Sequence, residues 1–79
     1  MLTDYLNAAL RRAQYEQLPD GEGYYGAIPE LPGVWGNADT LEAAREDLRE
    51  ALEGWVTLAL QQGIPIPELD GIALRFQAA

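Results

Sequence analysis

The stretch Ile28-Pro29-Glu30-Leu31-Pro32-Gly33-Val34-Trp35-Gly36-Asn37-Ala38-Asp39-Thr40-Leu41-Glu42-Ala43-Ala44 decides how this chain folds. Pro29 cannot donate to a strand ladder, and Pro32-Gly33 suits the two central positions of a type II turn. The first half therefore predicts a strand end and a tight reversal that feeds a short strand at Val34-Trp35-Gly36-Asn37. The second half opens a helix. Asp39 or Thr40 can cap it, and Asp39 with Glu42 has capping-box spacing.

Beyond this stretch, Leu41, Ala44, Leu48, Ala51, Leu52, Trp55, Leu58 and Ala59 hold a three/four spacing, the mark of one long amphipathic helix. Glu42, Glu46 and Asp47 sit near its N-terminus, where the macrodipole favours anions. Arg45 and Arg49 are within helical reach of Glu42, Glu46, Glu50 and Glu53. Gly63, Pro65 and Pro67 end the helix. Upstream, Ala13 to Leu18 alternates, Pro19-Asp20-Gly21-Glu22-Gly23 is a dense turn signal, and Tyr24 to Ile28 is extended, which predicts a hairpin. Leu2, Leu6, Ala9, Leu10 and Ala13 share one helical face of a short N-terminal helix that Thr3 or Asp4 can cap. Downstream, a turn at Leu69-Asp70-Gly71 precedes Ile72, Leu74 and Phe76, which alternate as a final strand. The expected order is α-β-β-β-α-β. That is a single α+β domain over residues 1–79, with a three-stranded antiparallel meander and the long helix packed on the sheet.

Composition narrows the chemistry. Across 79 residues the chain has 5 Lys+Arg against 13 Asp+Glu, a net charge of −8, and it contains no Cys, His, Ser or Lys. Zinc sites of the nitrogen/sulfur kind, haem or iron–sulfur ligation, triad nucleophiles, Schiff bases and Walker-type lysines are all excluded. Carboxylates, Tyr and Thr remain. Carboxylates alone could hold a hard cation or do acid–base work, so an enzyme is narrowed but not excluded, and neither catalysis nor a cofactor is the expectation. The cations Arg11, Arg12, Arg45, Arg49 and Arg75 are dispersed and outnumbered, so direct nucleic-acid binding is not expected either. An acidic body suits a basic protein partner. No signal-peptide core or membrane span is present in the sequence, so a cytoplasmic location is expected. A chain of this size buries only roughly 60% of its unfolded surface. Self-association as a dimer or tetramer is the expected supplement.

The hairpin, the Ile28-to-Gly36 run, Thr40-Leu41-Glu42-Ala43-Ala44 opening a long helix, Trp55 and the Gly63-Ile64-Pro65-Ile66-Pro67 tail together resemble the HicB-like antitoxin family over nearly the whole chain. The sequence departs from the family at Ala43, where an acidic residue usually completes a box with Thr40; Asp39 with Glu42 can substitute. The resemblance implies a partial RNase H-like fold, self-association, and neutralisation of a small basic toxin of the HicA type that cleaves mRNA. A short form is expected, without the C-terminal DNA-binding domain that many members carry.

Candidate contact residues follow from position and type. Glu16, Asp20, Glu22 and Glu30 cluster around the hairpin and the turn after it, where they can meet a basic surface or serve as ordinary turn and edge charges. Tyr24 and Tyr25 point to opposite faces of their strand, so one is expected in the core and Tyr25 is the contact candidate. Trp35 on an edge strand is a contact or core residue, and Trp55 a core residue. Ile72, Leu74 and Phe76 form core or a self-association edge. Two alternatives stand beside the antitoxin reading. One is a solitary homo-oligomeric domain with a structural or small-ligand role. The other is a carboxylate nuclease, which would need Glu16 to converge with Glu46, Glu50 or Glu53 on a metal ion.

Overall fold

The computed structural model describes residues 2–74. Helix α1 (Leu2–Arg11) leads into strand β1 (Gln14–Gln17), followed by β2 (Tyr24–Ala27), β3 (Trp35–Ala38) and helix α2 (Leu41–Gln62). The sheet has the order β1-β2-β3, antiparallel throughout. This is the α+β arrangement read from the sequence, with the long helix on the sheet.

The turns form where the chemistry placed them. Val34 N–H donates to the Leu31 carbonyl at 3.0 Å, and Gly33 at φ 94° supplies the left-handed position that a type II turn needs after Pro32. Thr40 is the N-cap of α2; its Oγ1 accepts from Ala43 N–H at 3.1 Å. Gly63, left-handed at φ 69°, closes the helix.

The core departs from the expected faces at both helices. In α2 the buried stripe is Ala44, Leu48, Leu52, Val56 and Ala59. Leu58, roughly 200° around the helix from Val56, points out. Leu41 lies at the mouth of the helix and is also exposed, and Trp55 is half-buried at the margin of the core. In α1 the buried residues are Tyr5, Leu6, Ala8 and Ala9, whereas Leu2 is exposed. Of the final strand, Ile72 makes one isolated antiparallel bridge to Leu69; Ala73 and Leu74 are not in a strand, and Phe76 lies outside the described residues. No helix among the described residues is long and apolar enough to cross a membrane.

The packing of α2 on the sheet is unusually close at one point. A Cβ on Gly36 would stand 2.5 Å from the Leu48 amide nitrogen and 2.9 Å from the Asp47 carbonyl carbon. Strand and helix backbones therefore touch there, and only glycine fits. The Asp47 carboxylate reinforces the contact by accepting the Asn37 N–H at 2.9 Å, which closes part of the outer edge of β3. On β2, Gly26 leaves room for the Tyr15 ring from β1.

Gly36→Ala should therefore cost about 1–3 kcal/mol, the penalty of overpacking against backbone that cannot move aside. Gly54→Ala, on the exposed side of α2 with nothing near the added methyl, should instead gain about 0.8–1 kcal/mol from helix propensity. Urea denaturation of the two variants checks both signs.

Candidate functional site

Side chains alternate along a strand, and residues directly opposite one another share a face. Tyr15, Gly26 and Gly36 are in register and face α2. Gln14, Ala27 and Trp35, with Glu16, Tyr25 and Asn37, consequently form the opposite face. No described element covers that face. It is the candidate site.

An aromatic pair spans its central and third strands. The rings of Tyr25 and Trp35, diagonal neighbours across β2 and β3, stack with centroids 6.1 Å apart and planes at 23°. Trp35 is 51% exposed, well above what a core tryptophan shows. Glu16 on β1 stands directly opposite Tyr25 and is exposed. A shallow cavity of about 290 Å³ opens beside Tyr25, lined by Gln14, Glu16, Ala27 and Pro29 among others. A half-exposed indole and phenol with a carboxylate beside them make an apolar platform bounded by negative charge. Such a surface accepts cationic side chains, whose charge pairs with the carboxylate and with the ring faces.

The structure divides the residues singled out by sequence. Glu16, Tyr25 and Trp35 come together on the open face. Asp20 and Glu22 lie in and just after the turn Pro19–Gly21 that joins β1 to β2, both exposed. Glu30 lies in the turn at the other end of β2, and its carboxylate is engaged. Arg12 donates to Glu30 Oε2 at 2.6 Å and to Asp70 Oδ1 at 2.6 Å, while Arg11 reaches Asp70 Oδ2 at 3.4 Å. Tyr24, on the face toward α2, is half-buried like Tyr25. Ile72 and Leu74 are half-buried against the chain's own core, and Phe76 lies outside the described residues.

Glu16 does not converge with the acids of α2, because α2 packs on the other face of the sheet. Among the described residues no three of His, Cys, Asp and Glu are grouped to hold a metal ion. Arg49 to Glu53, at 3.8 Å, is the ion pair that α2 forms within itself among those residues.

Sequence reasoning missed Tyr5 and the Arg12–Asp70 pair. Tyr5 is fully buried and donates its hydroxyl to the Pro67 carbonyl at 2.6 Å; burial raises its pKa above the ordinary tyrosine value. The spacing of Tyr5 to Ala9 carried a faint signal, but nothing in sequence links Arg12 to a residue 58 positions away. Together these contacts fasten residues 67–70 onto α1 and the β2–β3 turn.

That fastening is pH-sensitive. The hydrogen bond from Arg12 holds the Asp70 carboxyl below its ordinary value of 3.8, against an opposing effect of partial burial. A depressed folded-state value means the stabilisation is present above the unfolded pKa and is lost as pH falls through the folded one. Wild type should therefore lose Tm on acidification below about pH 4 partly through Asp70. Asp70→Asn should be less stable at neutral pH and show a shallower acid limb, read from thermal melts across pH 2–7.

A profile of the UPF0150-like family matches residues 4–67. The crystal structure of TTHA0281 from Thermus thermophilus is similar to this one, at 40% sequence identity and a TM-score of 0.89; the match covers 98% of this chain and 95% of that chain. No curated protein matches the sequence.

Proposed function

The chain belongs to the UPF0150-like family, and from that premise and the open sheet face we propose that it is an antitoxin-like binding protein. Its partner would be a small basic RNA-cleaving protein of the HicA type. It would act in the cytoplasm by covering the surface with which that partner grips RNA, with no chemistry of its own. The observation that carries this reading is the stacked Tyr25–Trp35 pair beside Glu16 on a face that nothing in the described chain covers.

Three physical arguments support it. A net charge of −8 steers a cationic partner toward the chain and raises its rate of encounter. Exposed aromatic side chains on an open face are the type that anchors protein interfaces. A protein surface whose own task is to hold phosphates presents Arg and Lys, and those side chains pair with Glu16 and with the faces of the rings. The resemblance of the Ile28-to-Ala44 segment to HicB-like antitoxins points the same way. Asp20 and Glu22 would extend the acidic rim at one end of the hairpin, whereas Glu30, already paired with Arg12, contributes less.

Co-expression with a small basic protein encoded beside this chain tests the proposal. The two should co-purify, separate in high salt, and leave the partner unable to cleave RNA while bound. Trp35→Ala and Glu16→Lys should each weaken the complex by roughly tenfold or more, with little loss of fold stability, because both side chains are exposed. Absence of binding and inhibition, or full binding by both variants, contradicts the proposal.

A further inference from the structure

On the opposite side of the molecule from the sheet face, three of the chain's five arginines converge on one groove between α1 and α2. The groove, about 380 Å³, is lined by Asn7, Leu10, Arg11, Arg45 and Arg49. A recess of about 250 Å³ continues from it, sharing Leu10, Arg45 and Arg49 and adding Tyr15, Leu41 and Glu46. One end is therefore cationic, and the other adds Leu41 and the Tyr15 ring to Leu10, with Glu46 at its border.

The arginines are poorly neutralised for so acidic a chain. Arg45 makes no ion pair or hydrogen bond among the described residues. Arg49 Nε stands 3.8 Å from Glu53, and Arg11 reaches Asp70 at 3.4 Å. Arg45 and Arg49 are also four apart on one helix, a like-charge spacing that opposes helix formation. The fold thus gathers cations where they repel one another, with Arg45 unpaired among the described residues and Arg11 and Arg49 held by long ion pairs.

We infer that this groove binds a phosphorylated small molecule with an apolar body, its phosphate held by Arg11, Arg45 and Arg49 and its body lying in the Leu10–Tyr15–Leu41 recess. Guanidinium forks match the several acceptor oxygens of a phosphate, and Asn7 adds an amide donor. A compact dianion can reach a locally positive groove, whereas an extended polyanion would run out over acidic surface on either side. Glu46 borders the apolar end and favours a ligand whose charge lies wholly at the other. The inference is independent of the partner-binding reading, since it uses none of Glu16, Tyr25 or Trp35.

Amide and arginine Nε NMR titrations of the full chain at low ionic strength test it with two probes, inorganic phosphate and phenyl phosphate. Both should shift Asn7, Arg11, Arg45 and Arg49, and phenyl phosphate should also shift Leu10 and Tyr15. Phenyl phosphate should bind about fivefold or more tighter, because only it buries apolar surface. Arg45→Gln, which removes no ion pair or hydrogen bond among the described residues and so should keep the fold, should weaken both by roughly tenfold, and Arg49→Gln likewise. Diffuse shifts without these residues, equal affinity for the two probes, or unchanged binding by both variants would overturn the inference.

Discussion

The backbone contact between Gly36 and the Leu48 turn of α2 fixes what the remainder of the molecule can be. It sets α2 directly on the central and third strands, with Leu48, Leu52 and Val56 pressed into the core alongside Ile28, Leu31 and Val34. A single helical layer on a three-stranded sheet can cover one face only. The other face is left to solvent by geometry, and its residues escape the demand for apolar packing. Tyr25, Trp35 and Glu16 occupy positions where the fold asks for nothing, so a large aromatic pair there is explained by contact with something else more readily than by stability.

A second device compensates for the thin core. Residues 67–70 run back across α1, with Leu69 buried, Tyr5 bonded to the Pro67 carbonyl and Asp70 held by Arg12. Small domains need such fasteners because burial alone leaves little surplus over the entropy of ordering the chain. The same device uses up Glu30 and Asp70. The acidity of the chain is therefore unevenly available: among the described residues Glu16, Asp20 and Glu22 form no ion pair at the sheet and its first turn, while Arg11, Arg45 and Arg49 line the groove between the helices.

Much of the fold was legible in sequence because turns and caps are local. Pro32-Gly33, Thr40 and Gly63 specify backbone geometry within a few residues, and each formed as its chemistry requires. Helical faces were less legible. Spacing alone fits Leu58 or Val56 into the stripe of α2, and only the angle at which α2 meets the sheet decides for Val56. For the site, strand alternation separated Tyr24 from Tyr25 but could not say which face would be covered. That depended on Gly36, whose lack of a side chain reads in sequence as mere permissiveness. The pairing of Glu30 with Arg12 was not legible because the two lie 18 positions apart, and the Arg11–Arg45–Arg49 groove was invisible for the same reason.

Hydrogen exchange of the chain, free and mixed with the proposed basic partner, tests the central proposal most directly: that the exposed sheet face is the binding surface. The account predicts slowed exchange confined to residues 14–17, 24–27 and 35–38, with the outward side of α2 unchanged. Protection along α2, with the strands exchanging as in the free protein, would contradict it.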